Sequence, residues 1–341
     1  MSFFRDLVET IKDEDTCIAA DGKGSAEFGG FIDTGCYILN AVLSGSLYGG
    51  VPDNKVTAFA GESATGKTFF VLGVVRSFLD RNPSGGVVYY DTEAAVTRDM
   101  METRGIDTNR VIIAEPDTIQ KFKTHALKML EAYEKQPEDK RPPMMFVLDS
   151  LGLLTTSKEL EDSLEGKDTR DMTKSQVIKA TFRVLTLKCA KVRVPFIITN
   201  HVYEMVGSYI PTKEISGGTG LKYAASTIAM LSKKKEKDGN DVIGNIIKVK
   251  MYKSRLSREH GIAEVLLTYD KGLNRYYGLL DLAEKYDIIK KSSTRYELPD
   301  GRKVFGKEIN SNPEQYFTPE IMERLEEAAK KEFSYGSNII T

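Results

Sequence analysis

The sequence predicts an α/β fold on a mainly parallel central sheet, because short apolar runs recur with helical patterns between them. A second observation points the same way: the loop GESATGKT at 61–68 directly follows an apolar run and opens an amphipathic helix. With 341 residues and 41% hydrophobic content, the chain can bury a full core in one large domain with smaller additions. That excludes a disordered or fibrous protein.

Taken in order, residues 1–33 hold a short amphipathic helix in MSFFRDLVETIKDED and then a Gly-rich connector, Asp21 to Gly30, that carries the apolar Phe28. Residues 34–272 carry the α/β core. Apolar runs predict strands at Val56 to Ala60, Val87 to Tyr90, Val111 to Ala114, Met144 to Leu148, Pro195 to Thr199 and Thr227 to Leu231. Between the first two, Phe70, Val74, Val75, Phe78 and Leu79 share one helical face, and Asn82 to Gly86 form a turn, which makes a βαβ unit. Ile246 to Tyr252 and Ala263 to Tyr269 read as antiparallel strands, since too few residues separate them for a crossover helix. Residues 273–341 predict a small α+β domain. It has a helix from Leu279 to Tyr286, a hairpin turning at Pro299, Asp300 and Gly301, and a final helix from Pro319 to Phe333.

Composition narrows the function. The 48 Lys and Arg nearly cancel the 49 Asp and Glu, so no global field recommends nucleic acid and any such contact must be local. Cys17, Cys36 and Cys189 lack CxxC spacing, which argues against a disulfide framework or a zinc site. With no signal-peptide run and no stretch of about 18 apolar residues, the expectation is a cytoplasmic protein with no membrane partner.

The loop at 61–68 fits the phosphate-binding pattern GxxxxGK[ST] in full. Gly61 and Gly66 let the backbone curl so that the N–H groups of Glu62, Ser63, Ala64 and Thr65 point inward, and the helix beginning near Phe69 adds its positive dipole end. Lys67 is expected to neutralise β and γ oxygens of a nucleoside triphosphate, and the Thr68 hydroxyl to ligate Mg²⁺. Asp149, at the end of the run MMFVL, is the expected carboxylate partner of the metal. The run VVYY ends in Asp91, Thr92 and Glu93, which places Glu93 as general base for the attacking water, with Asp91 its rival and a helix-capping role the alternative.

Taken together, GESATGKT, YYDTE, VLDSLGLL, IITNHVYE, SGGTGLKYAAS and KSR at 253–255 resemble, in that order, the RecA family of DNA recombinases, and especially its phage UvsX-like branch. The resemblance spans nearly the whole chain. It implies a RecA-like P-loop ATPase core that uses ATP and Mg²⁺, with the catalytic glutamate in YYDTE, which favours Glu93. It implies that His201, at the end of IITNH, is a polar sensor that couples γ-phosphate contact to the loop after it. Two segments resemble the family's DNA-binding loops. The first, Ser157 to Met172, offers Lys167 and Arg170. The second, Glu204 to Gly220, offers Met205, Tyr209 and Lys213 for stacking and phosphate contact, and the backbone of Gly217 and Gly218. Lys253 and Arg255, two apart on a predicted strand, form a cationic pair that the resemblance carries across a subunit interface to the neighbour's ATP. The amino-terminal helix would pack on the adjacent subunit, with Phe28 as a plug. Met100 stands where the family commonly stacks a tyrosine on adenine, and its thioether can pack on a purine.

The function so implied is an ATP-dependent strand-exchange recombinase, a DNA-dependent ATPase that forms a homo-oligomeric helical filament on single-stranded DNA and pairs it with duplex DNA. A recombination mediator and a single-strand-binding protein are its expected partners. A ring helicase or loader with the same core and a DNA-independent regulatory ATPase are the alternatives.

Overall fold

In the computed structural model, residues 3–13, 16–22, 24–27, 29–167, 171–204, 213–238, 241–268 and 272–335 are described. The central sheet contains β1 (Val56–Gly61), β2 (Gly86–Asp91), β3 (Val111–Ala114), β4 (Met144–Asp149), β5 (Phe196–Glu204), β6 (Thr227–Asp238), β7 (Asp241–Ser254), β8 (Ile262–Thr268) and β9 (Gly272–Leu273). Their order is β9-β8-β7-β6-β1-β5-β4-β2-β3. From β6 to β3 every neighbour is parallel, and β7, β8 and β9 continue the sheet antiparallel. The helices that cross between parallel strands, chiefly Lys67–Arg81, Ile119–Glu134 and Lys174–Lys191, cover the two faces.

Period-two alternation explains how the strands bury both faces. In β4, Met145 and Val147 join the apolar cluster on the side of the Lys67–Arg81 helix, while Phe146 and Leu148 join the cluster under Ile119–Glu134 and Lys174–Lys191. Val87 and Tyr89 against Val88 and Tyr90 divide in the same way on β2. The predicted helical face of Phe70, Val74, Val75, Phe78 and Leu79 is buried on the first of these clusters.

Beyond β9, helix Leu279–Lys285, an antiparallel sheet of Lys290–Ser292, Arg295–Glu297 and Lys303–Phe305, and helix Pro319–Phe333 form the carboxy-terminal part. Leu279, Ile309, Leu325 and Phe333 belong to the same buried cluster as the helix Tyr37–Ser44 and the phosphate-loop helix, so the apolar core runs on without a break. The amino-terminal helix is Phe3–Ile11 and buries none of its residues. Phe3, Phe4, Leu7 and Ile11 are exposed.

Candidate nucleotide and nucleic-acid site

The phosphate loop leaves the carboxyl end of β1. A Cβ at Gly61 would stand 2.7 Å from Thr65 Oγ1 and 2.8 Å from the Leu231 carbonyl oxygen, so only glycine fits. Ala64 and Gly66 have φ of 57° and 84°, and this left-handed backbone curls the loop before the helix. Thr65 Oγ1 donates to the Glu62 carbonyl (2.8 Å) and locks the curl. Lys67 is buried and its Nζ donates to the carbonyls of Gly61 (3.2 Å) and Glu62 (3.0 Å), inside the cradle. Burial lowers the pKa of its ammonium, against the opposing pull of the Glu93 and Asp149 carboxylates.

Thr68 Oγ1 donates to Asp149 Oδ2 at 2.8 Å, so the residues predicted for the metal do converge. Asp149 is buried at the end of β4, and Tyr89 OH (2.8 Å) and Thr199 Oγ1 also donate to it. Hydroxyls from β2 and β5 thus hold a carboxylate that burial would otherwise penalise. A hydroxyl and a carboxylate beside a glycine cradle with a lysine inside it form the hard-oxygen, cationic setting that fits a magnesium triphosphate. On this geometry Gly61 to Thr68 would hold the phosphates, and Thr68 and Asp149 the metal.

Asp91 and Glu93 have opposite surroundings. Asp91 is buried and accepts the backbone N–H groups of Glu93, Ala95 and Val96, each at 3.0 Å, so it organises the loop after β2. Glu93 projects at the carboxyl edge, and His201 Nε2 lies 2.8 Å from its Oε1. Burial pushes the Glu93 carboxyl up, but the hydrogen bond from His201 and the nearby Lys67 charge outweigh it, and the group sits below its usual range. Parallel pairing of β1 with β5 sets His201 directly beside Gly61. The neighbouring Asn200 is buried. Its Oδ1 accepts the His201 N–H (2.9 Å) and its Nδ2 donates to the Ser216 carbonyl (2.7 Å), while Ser216 N–H returns to the His201 carbonyl (2.9 Å). Glu93, His201, Asn200 and Ser216 therefore form one connected chain from the phosphate edge to the base of the second predicted loop.

Gly217 and Gly218, with φ of 81° and 69°, end that loop against helix Lys174–Lys191, where a Cβ would meet Ile178 at 2.9 Å and Ser175 at 2.6 Å. Lys213 begins a short strand, Lys213–Ile215, that pairs with β5. Met205 and Tyr209 lie outside the described residues, as do Arg170 and Phe28. The segment predicted as a first loop is helical over Ser157–Leu164. Thr156 and Glu159 form a capping box there, and local capping prevails over the mixed-charge composition that reads as loop. Lys167, just after it, pairs with Glu165 at 2.5 Å.

Strand β7 runs to Ser254, two residues past the predicted Tyr252, and so includes Lys253 but not Arg255. Lys253 lies on β7 next to a register shift, and Arg255 is beyond the strand, its N–H donating to the Ser226 carbonyl, so the alternation argument that put both on one strand face does not apply. They are still close: after burial, the Arg255 charge is the next cause that lowers the Lys253 pKa. Lys253 aligns through β6 with Ala58, in the middle of β1, and Arg255 donates to Ser226, whose own N–H donates to Val56 at the amino end of β1. Arg255 thus lies toward the amino ends of the parallel strands, whereas the phosphate loop leaves the carboxyl end of β1 at Gly61.

Met100 lies in the segment after β2. Its side chain packs on the buried cluster, and Arg104, one turn on, lies with its guanidinium 4.3 Å over the Phe69 ring. Sequence reading overlooked Arg104, as well as Tyr89 and Thr199 on Asp149 and Lys233, whose Nζ donates to the Ala64 carbonyl of the phosphate loop (2.8 Å). Tyr89 and Thr199 lie inside the blocks YYDTE and IITNHVYE, but the blocks do not show that these hydroxyls meet Asp149. Strand register brings Tyr89, Thr199 and Lys233 in, and the turn after helix Arg98–Glu102 brings Arg104.

Fold and site define a P-loop protein of the α/β class. The chain belongs to the RecA family: the family model described as the RecA N-terminal domain matches residues 18–274. It is similar to the recombination and repair protein of Enterobacteria phage T4, with 31% identity over 254 residues that cover 74% of this chain and 63% of that protein. It is also similar to Protein RecA of Lactobacillus johnsonii, 27% identical over 94% of this chain and 87% of the relative, and to Protein RecA of Deinococcus radiodurans, 29% identical over 81% and 73%. Among the described residues, no helix is long and apolar enough to cross a membrane.

Proposed function

We propose that this chain is an ATP-dependent DNA strand-exchange recombinase that assembles as a helical filament on single-stranded DNA and hydrolyses ATP between subunits, in the host cytoplasm if phage-encoded. One observation supports the shared site: Arg255 lies toward the amino ends of the parallel strands, away from the phosphate loop at their carboxyl ends, so the cationic pair would serve the triphosphate of another copy. Thr68 and Asp149 would hold Mg²⁺, which when bound would supply further neutralisation of phosphate charge. Lys67 neutralises the β and γ oxygens, and Glu93 takes the proton of the attacking water. His201 donates to a γ-phosphate oxygen and passes its position through Asn200 to Ser216. Lys253 and Arg255 of a neighbouring copy steady the charge that develops. The second loop would carry single-stranded DNA, with Met205 and Tyr209 stacking on bases and Lys213, Gly217 and Gly218 at phosphates, and Lys167 and Arg170 would assist from the first segment. The exposed Phe3, Phe4, Leu7 and Ile11 supply an apolar face for the next subunit. A mediator and a single-strand-binding protein would regulate loading. The division into 1–33 for polymerisation, 34–272 for catalysis and DNA, and 273–341 as a smaller unit is part of the same reading.

The test measures ATPase rate with and without single-stranded DNA for the wild type, Lys253→Ala and Arg255→Ala, and for mixtures of each with Glu93→Gln. Strong DNA stimulation that collapses in the basic variants and returns in the mixtures is expected, because the Glu93→Gln subunits lend intact cations to intact Glu93 sites. DNA-independent hydrolysis that neither substitution alters would sink the recombinase and leave a regulatory ATPase.

A further inference from the structure

A groove of about 520 Å³ opens beside the phosphate loop, and Phe69, Thr103, Arg104, Leu267, Gly272 and Leu273 line it. It starts at the loop itself, since Leu267 Cδ2 lies only 2.7 Å from where Gly66 would carry a Cβ. Phe69 directly follows Thr68 in the helix that opens from the loop, so the groove adjoins the place where phosphates would sit. Met100 is not among the residues that line it. Arg104 is, and its orientation is fixed twice. Its guanidinium lies over the Phe69 ring, and Nη1 donates to the Met100 carbonyl at 2.7 Å. At the far end, Arg76 and Asp80 satisfy each other at 3.6 Å.

We propose that the base of the bound nucleoside triphosphate stacks on the Arg104–Phe69 pair, which makes Arg104 the residue that retains the base in place of a stacking tyrosine. This rests on the triphosphate reading given above. The chemistry suits a heterocycle better than a phosphate. Leu267 and Leu273 are apolar walls, and a guanidinium plane is weakly hydrated and stacks well on π systems. A face contact of this kind carries little information about the base edge, so the pair anchors the base without choosing strictly between purines.

The test titrates the full-length chain with Mg²⁺-ADP and with inorganic tripolyphosphate, which has phosphates and no base, by calorimetry. Arg104→Ala is expected to weaken ADP about tenfold and to leave tripolyphosphate unchanged. Arg104→Lys keeps the charge, loses the plane and is expected to behave like Arg104→Ala. Phe69→Leu should weaken ADP in the same sense. Equal weakening of both ligands, full ADP affinity in Arg104→Ala, or wild-type behaviour of Arg104→Lys overturns the proposal. A wild-type chain that binds neither ligand would instead overturn the triphosphate reading on which it rests.

Discussion

At the scale of single residues, the Glu93–His201 contact at 2.8 Å sets the protonation of the proposed base. Burial acts alone to raise the Glu93 carboxyl, and His201 and Lys67 reverse it. Removing the imidazole leaves burial less opposed, so Glu93 should titrate at higher pH. In His201→Ala, the acid limb of the ATPase pH profile should therefore move upward relative to wild type, and DNA stimulation should weaken because Glu93 loses its side-chain link to the His201 backbone that Asn200 and Ser216 hold. An acid limb that stays in place, or moves down, would show that His201 does not control this carboxyl. The choice between Asp91 and Glu93 shows why such detail lies beyond sequence: both are acids at the end of one apolar run, and only the folded loop occupies Asp91 with three backbone amides.

Whole elements were easier to foresee than their ends. The parallel strands were legible because each begins as an apolar run, buried except in the edge strand β3 where Ile112 and Ile113 are exposed, and the final helix because Pro319 and its apolar face mark it clearly. Strand ends were less legible. The predicted Pro195 to Thr199 continues to Glu204, because β5 extends beyond the core and pairs there with Lys213–Ile215, a partner that no local pattern announces. Helix Ser157–Leu164 was hidden by composition, and its start rests on Thr156, whose Oγ1 accepts the Glu159 N–H (3.1 Å) and donates to Asp171 Oδ2 (2.7 Å). Thr156→Ala should cost about 1 kcal/mol of helix stability. Amide hydrogen exchange would read this as faster exchange over Ser157–Leu164 with the rest of the sheet unchanged. Unaltered exchange there would mean that tertiary packing, not the cap, holds the helix.

Across the whole molecule, the unbroken apolar cluster ties the carboxy-terminal part to the element that carries Lys67 and Thr68. Polar contacts reinforce the same junction. Glu326 on the last helix accepts Ser46 Oγ and the Leu47 N–H, each at 2.7 Å, and Arg275 pairs with Asp33 at 2.5 Å while its guanidinium lies 4.0 Å over Tyr37. Such a junction makes independent release of the carboxy-terminal part costly, because release would expose the apolar side chains that the shared cluster buries. Glu326→Ala strips the Leu47 N–H of its acceptor, a loss of about 1–3 kcal/mol. If the core is continuous in energy as well as in space, that loss should lower one common unfolding transition, seen at the same temperature by far-UV circular dichroism and by a fluorescent probe on the carboxy-terminal part. An early, separate transition of the probe would show that the carboxy-terminal part unfolds on its own, and that the shared cluster does not carry stability across to the phosphate-loop helix.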